Sequence, residues 1–552
     1  MESQTKNCQN CKQDFIIEPD DFAFYEKMKV PAPVWCPQCR QRDRILGRNF
    51  RTLYKRMSDK SGKSIISMYS TKVPFSVWSH DEWWSDDWDA KDYGRDVDFS
   101  KPFFQQIKTL WDNVPRCAII VTQSVDCPYS NAVLTGKNLY LVFGTVDCED
   151  CMYGHIVWNS KDCVDCLYVF KSELCYECTD VLGSYHVLYS QECEDCNNCI
   201  GLFDCRGCSN CIGCVGLRQK SNYLFNEPVT KERIDEFLKN HPLHDPKSIS
   251  FIIEKREEMR LKIPQRFFSG SHNTNVSGDH IYHAKNIQHA FDVKSGENSK
   301  FIFTCRKAID SYDISFTADI ELGYQNTHGH GRGIMFSSTC VNCTDIYYSE
   351  NCHNSHNIFG CEGLKSSQYC ILNKQYTKEE YEILLPKLIE HMRKTGEWGW
   401  FFPKEILPFA YNESIVNEYF PMTKEEALAK GYKWEDDIPH TKGQTTIKYD
   451  ELPKNPKLFS NDLTEQILEC NICGYNYRLI KKEVEIYKKI GLSIPQECFN
   501  CRHERRMKLR NVRNLFDGQC AKCNAQFKTS YNLEQQKKYK IYCEQCYNSE
   551  VA

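Results

Sequence analysis

Twelve of the 33 cysteines fall into three quartets built from Cys-x2-Cys pairs. Cys8 and Cys11 are followed, after 24 residues, by Cys36 and Cys39, and Cys470 and Cys473 are followed after the same interval by Cys498 and Cys501. Cys520 and Cys523 precede Cys543 and Cys546 by 19 residues. A two-residue spacer lets both thiolates of a knuckle reach one ion, and two knuckles complete a tetrahedral S4 shell, the preferred structural zinc site. Four protein ligands leave no position for water, so the spacing predicts about three structural zinc ions and no hydrolytic centre. Redox use of isolated Cys-x2-Cys pairs is the competing reading, and it does not account for knuckles paired at matched separations.

The first two quartets sit in copies of one segment. "NCQNCKQDFIIEPDDFAFYEKMKVPAPVWCPQCRQRDRI" aligns without a gap between the knuckles on "ECNICGYNYRLIKKEVEIYKKIGLSIPQECFNCRHERRM". Both place an aromatic residue four positions after the second Cys (Phe15, Tyr477) and an arginine after the last (Arg40, Arg502). The duplication continues through Arg48-Asn49 and Arg510-Asn511. With one residue inserted, Cys520 and Cys523 fall opposite Met57 and Lys60, and Cys543 and Cys546 near Ser79 and Glu82. A tandem two-ribbon module is therefore expected at each end, the second N-terminal ribbon having lost its ligands. Trp78, Trp83, Trp84, Trp88 and Tyr93 are its candidate replacement core.

The terminal pattern resembles the "probable zinc-ribbon" family over about 40 residues at each end. Through "RNFRTLYKR", "EWWSDDWDAKDYGRDVDFSKPFFQQ" and "DCRGCSNCIGCVGLR", most of residues 1–230 is similar to uncharacterised zinc-ribbon plus cysteine-rich β-helix proteins of candidate-phylum bacteria. The resemblance implies a metal and a fold, and no activity.

A second set of cysteines lies between residues 117 and 370. From Cys127 to Cys214 every separation is a multiple of three and separations of twelve recur, as from Cys151 to Cys163 and Cys163 to Cys175. Short strands punctuated at regular spacing, without helical periodicity, predict a repeat architecture in which stacked coils bury one inward face. Cysteine is small and readily buried, so thiols serve as filler of a narrow interior. Metal binding by the dense 193–214 run is the weaker reading. Thr230 and Thr377 read as N-caps of two helices that each follow an Asn-containing strand.

The expected fold is mainly β: a parallel β-helix or solenoid with helical insertions, flanked by zinc-ribbon or treble-clef modules at both termini. The expected divisions are zinc ribbon 1 (1–47), a degenerate ribbon with a Trp-rich segment (48–114), solenoid half 1 (115–226), a helical insertion (227–267), solenoid half 2 (268–373), a helix and irregular wrap (374–460), zinc ribbon 2 (461–509) and zinc ribbon 3 (510–552).

At 552 residues and a net charge of -4, the chain is too long for one core and has no global field for polyanions. The charge is local. Residues 40–63 and 478–513 each carry a balance of +7. Arg40, Arg42, Arg44, Arg48, Arg502, Arg505, Arg506, Lys508 and Arg510 are the candidate nucleic-acid contacts, since arginine suits bidentate phosphate binding. The plainer alternative is that these charges form solvated faces, or that the arginines pair with the acidic 81–98 stretch. The start, "MESQTKNCQNCKQDF", lacks an apolar signal core and no stretch reaches about 18 apolar residues, so a cytoplasmic protein without membrane contact is expected.

These features favour a non-catalytic scaffold in which basic ribbons bind nucleic acid or a ribonucleoprotein and the solenoid offers a rigid face to protein. The alternatives are a purely protein-binding or self-assembling structural protein and, third, a β-helix enzyme acting on carbohydrate. No GxxxxGK[ST], HExxH or GxSxG motif supports the last. His328 and His330, with Asp319 and Glu321 near and His280, His283 and His289 in reach across coils, are its one foothold.

Overall fold

A computed structural model describes residues 2–551 and is mainly β. The chain forms two compact units that interleave in sequence: Met1–Ala118, Phe268–Ile438 and Arg513–Leu515 in the first, Ile119–Phe267, Pro439–Val512 and Phe516–Ala552 in the second. Each unit contains a β-solenoid half and cysteine-quartet modules remote from it along the chain. The N-terminal ribbon shares a unit with the later half of the solenoid, and the C-terminal ribbons with the earlier half.

In the second unit the period of three has a backbone cause. From Asp162 to Gly183 every third residue has a φ near +50° to +62°, so the chain turns a corner at each. Four such triplets close a coil of twelve residues, and Leu167–Phe170 pairs in parallel with Thr179–Leu182 one coil on, Leu167 opposite Thr179. The residue after each corner is buried: Cys163, Cys166, Val169 and Ser172 in one coil, then Cys175, Cys178, Val181 and Ser184. A left-handed conformation costs roughly 1–2 kcal/mol for most residues and less for Asp, Asn and Gly, which occupy many of these corners.

The interior is satisfied as well as filled. Cys163 Sγ donates to Lys161 O at 3.3 Å and Ser172 O at 3.5 Å, and the same pair of contacts, two residues back and nine ahead, recurs at Cys178 and Cys205. Where serine replaces cysteine it forms a column: Ser172 N–H donates to Ser160 Oγ, Ser184 N–H to Ser172 Oγ and Cys196 N–H to Ser184 Oγ, each across twelve residues.

The outside of these coils carries an apolar ladder, Met152, Val164, Tyr176, Leu188, Ile200 and Ile212. Against it lie Val484 and Tyr487 of the ribbon helix Lys481–Ile490 and Phe237 of the helix Lys231–Asn240. The first unit does the same with aromatics: Phe24 of the helix Pro19–Lys27 stacks on Tyr312 at 3.9 Å, and Tyr25 packs edge-on against it.

Both solenoid halves end identically. Asn226 donates to Val215 O and accepts its N–H, both at 2.8 Å, and Asn373 does so with Glu362 at 2.8 and 2.9 Å. An antiparallel hairpin then folds over the last strand, Leu224 opposite Glu227 and Ile371 opposite Lys374, removing an open sheet edge. The expected N-caps follow, Thr230 on Lys231–Asn240 and Thr377 on Lys378–Lys394.

The first unit departs from strict twelve-residue coils. The pairing shifts between Val276 and Gly278 and between His330 and Gly331, and the two glycines absorb the shift at φ 145° and 144°. A Cβ on Gly331 would lie 1.9 Å from Cys343 O. Gly331→Ala is therefore expected to lower stability by about 2–4 kcal/mol in denaturant unfolding, whereas alanine at the open, positive-φ Gly443 should cost about 1 kcal/mol. Equal effects of the two would contradict this assignment.

Candidate metal centres and arginine latches

In all three quartets the four Sγ atoms lie within 4.8 Å of one another. The distances Cys11–Cys36, Cys473–Cys498 and Cys523–Cys543 are each 3.7 Å. A tetrahedron with metal–sulfur bonds of about 2.3 Å has edges of about 3.8 Å, so the donor sets fit a zinc-sized ion. The first knuckle of each is a turn at a strand end. The second lies at a helix start: Cys36 and Cys498 are the N-caps of Pro37–Leu46 and Phe499–Met507, and Cys543 immediately precedes Glu544–Val551.

Backbone N–H groups face the sulfurs, as Cys36 N–H does Cys8 Sγ at 3.1 Å and Cys543 N–H does Cys520 Sγ at 3.3 Å. Burial resists ionisation of Cys470, but the N–H groups of Cys473, Cys498 and Ile472 outweigh it and draw its thiol down to about 7. The N–H groups of Cys543, Cys523 and Lys522 likewise draw Cys520 to about 6. A lowered thiol pKa favours the thiolate that a metal needs, and these two ionise ahead of Cys498, Cys501 and Cys546, which burial holds up. Among the described residues, no three thiols of the 193–214 run lie within 4.8 Å of one another. All the described cysteines are free thiols.

The degenerate ribbon is one residue out of the expected register. Ser58 N–H donates to Lys63 O and Gly62 N–H to Ser58 O, the same turn that Cys520 makes with Ala525 and Asn524. Asp59 N–H donates to Val77 O as Ala521 N–H does to Ile541 O. The ligand positions are thus Ser58, Ser61, Ser79 and Glu82, with the extra residues falling after the first knuckle, and Met57 and Lys60 are not among them. Glu82 stands in for both the ion and one ligand: it accepts from Ser58 Oγ at 2.5 Å and Ser79 N–H at 2.8 Å. Against a burial penalty, bonds from Ser58, Ser61 and Ser79 hold its carboxyl down at about 2. The tryptophans pack beside this cluster, Trp83 buried with its indole N–H on Pro115 O and Trp88 edge-on to both Trp78 and Trp83. Restoring cysteine at all four positions together is expected to add one metal ion per chain by elemental analysis. An unchanged metal content would contradict the correspondence.

The cations expected to meet phosphates are placed differently. Arg40, Arg44, Arg48, Arg502 and Arg506 are buried, at 5%, 0%, 2%, 1% and 0% exposure. In the first unit Arg40 and Arg44, one helical turn apart, both reach Asp313 of the solenoid at 2.8 and 3.6 Å. In the second unit Arg502 and Arg506 reach Asp165 at 2.9 and 3.0 Å, and Arg506 also reaches Glu177 at 2.9 Å. Each aspartate sits at a left-handed corner.

Burial opposes the charge of Arg40, but Asp313 outweighs it and lifts its pKa above the usual value, while Arg44 is drawn down to about 10. Arg510 pairs with Asp180 at 2.9 Å, and Arg48 donates to Thr339 Oγ1 at 3.2 Å. Arg42 lies over Tyr432 and beside Asp43. Arg505 is paired with Glu177 and Glu497, and Lys508 is exposed. Sequence reasoning found the basic segments and missed the coil partners of Arg40, Arg44, Arg502, Arg506 and Arg510; of the 81–98 acids, Asp87 meets Lys60 at 3.8 Å. Arg40, Arg44, Arg48, Arg502, Arg505, Arg506 and Arg510 tie each ribbon to its solenoid half, and the five buried ones among them present no open face to phosphate.

In the histidine-rich stretch the two candidate acids are paired, while His330 stays half-exposed near Asp319. His328 is half-buried, and desolvation with the Arg48 charge nearby pushes its pKa well down. Asp319 pairs with Arg306 at 2.7 Å and Glu321 with Arg332 at 3.2 Å. His283 stacks on His272, and His280 lies beside Asp279. No described helix is long and apolar enough to cross a membrane.

Comparison with protein-family models, with curated proteins and with solved structures gives no match.

Proposed function

We propose that the protein is a non-catalytic scaffold, two solenoid halves stiffened by zinc ribbons, that docks a protein partner along an open coil face. The observation that carries this reading is the destination of the arginines. Most of them fasten the ribbons internally, which suits a rigid carrier and leaves Lys508 and the already paired Arg505 exposed, with Arg42 and Arg510 half-buried. Zinc is the metal we assign to the quartets, on the chemistry of four thiolates.

In the second unit one outward ladder stays open. Glu149, Lys161, Glu173 and Tyr185 follow one another at one residue per coil, with Lys137 2.8 Å and Lys161 3.4 Å from Glu149. Alternating charge at a fixed coil spacing on rigid backbone is a specific template for a complementary protein surface. The test is capture of partners from native cells by the full chain and by its Lys161→Glu/Tyr185→Ala variant, after nuclease treatment. A protein recovered in stoichiometric amount with the parent and lost with the variant supports the reading. Stoichiometric recovery of no protein, or recovery abolished by nuclease, overturns it.

A further inference from the structure

The first unit holds a cleft of about 1060 Å³ beside its metal centre, between the ribbon segment around Trp35 and the loop 396–405. Its walls combine two kinds of group. Trp35 and Trp400, both half-buried, meet edge to face at 5.1 Å, making a corner of two indoles. Lys404, Lys430 and Arg42 also line the cleft, with Tyr432.

The acids of the cleft are mostly engaged. Glu397 accepts from the backbone N–H groups of Phe103 and Phe104 at 2.8 and 2.7 Å, capping a helix. Asp43 accepts from Tyr432 O–H at 2.9 Å and lies 3.7 Å from Arg42, so this pair neutralises itself. Of the remaining charges, the exposed Lys430 and Lys404, whose ammonium donates to Lys430 O and lies over the Tyr432 ring, stand with the exposed Glu405. A cleft that joins an aromatic corner to two lysines has the chemistry of a stacked base with its phosphate. The volume exceeds what a drug-sized ligand needs, leaving room for more than one nucleotide unit.

We infer that this cleft binds a nucleobase bearing a phosphate, the base on Trp35 and Trp400 and the phosphate against Lys404 and Lys430. The inference is separate from the scaffold reading: the cleft lies in the other unit from the open charged ladder, and neither test reads the other.

The experiment titrates the full, metal-loaded chain with AMP, ATP, a short single-stranded RNA and inorganic pyrophosphate, followed by tryptophan fluorescence and calorimetry. Saturable binding of AMP or ATP alone supports the inference with a free nucleotide as source. Tighter binding of the RNA supports it with a single strand as source. Trp35→Ala should weaken binding by roughly tenfold to a hundredfold, the scale of one lost base stack. Lys430→Glu, at an exposed position that leaves the fold intact, should weaken it by about tenfold and flatten its salt dependence. Failure of all four ligands to bind at millimolar concentration, binding of pyrophosphate as tight as that of ATP, or nucleotide binding unchanged in both variants would overturn the inference.

Discussion

Asp313→Asn is expected to lower the stability of the first unit by about 3–5 kcal/mol, the range seen when one partner of a buried ion pair is removed. The variant keeps the side-chain shape and suits the left-handed corner at φ 59°, so the change isolates the charge. Asp313 stands between Arg40 and Arg44, both buried. The second unit shares the corresponding load among Asp165, Glu177 and Glu483, each within 3.6 Å of Arg502 or Arg506. In the first unit Gln325 stands where sequence correspondence puts Glu177, so the loss of Asp313 leaves two guanidinium groups without a close carboxylate. Early release of residues 2–47 in limited proteolysis should accompany the loss. The exposed pair Lys27–Asp310, 3.1 Å apart, supplies the control: Lys27→Ala should cost under about 1 kcal/mol. A cost that small for Asp313→Asn would mean that the latch does not hold the ribbon.

Removing one quartet thiol should have the other large effect. Cys501→Ser leaves three thiolates around the second centre, and structural zinc in small domains contributes on the order of 10 kcal/mol. The expected outcome is loss of one metal ion per chain and loss of hydrogen-exchange protection across Leu468–Met507, with the apolar contacts of Val484 and Tyr487 preserving part of the docking. Cys196→Ser is the contrasting variant. Cys196 lies in the column that already contains Ser160, Ser172 and Ser184, and its N–H bonds to Ser184 Oγ. It should cost about 1 kcal/mol and leave the metal content unchanged. Loss of metal from Cys196→Ser would give the interior thiols a role beyond packing.

Much of this organisation is legible in the chain because it rests on local spacing. The knuckles declare themselves through two-residue gaps, the coils through cysteines at multiples of three, and the helix starts through Thr230 and Thr377. The left-handed corners were within reach: Asp147, Asp150, Asp162 and Asp165 each directly precede a buried cysteine, and Asp tolerates positive φ. The serine–glutamate substitute for a zinc site was within reach too, since Ser58-x2-Ser61 and Ser79-x2-Glu82 keep the knuckle spacing. Aligning by the hairpin strands alone hides this, because the extra residues fall between the knuckles. The arginine latches were not legible. Arg40 and Asp313 are separated by 273 residues, and a side chain's partner across that distance depends on which coil faces which helix. A positive segment reads the same on the page whether it meets solvent, phosphate or a buried aspartate.

The account depends most on the division of the thiols between ion-holding and space-filling. Elemental analysis of the purified full chain, paired with the same analysis of a chain lacking one cysteine from each quartet, tests it directly. Three zinc ions per chain in the first and none in the second is the result expected from the three quartets. A metal content of zero in the parent, or metal retained after the quartets are broken, would contradict it.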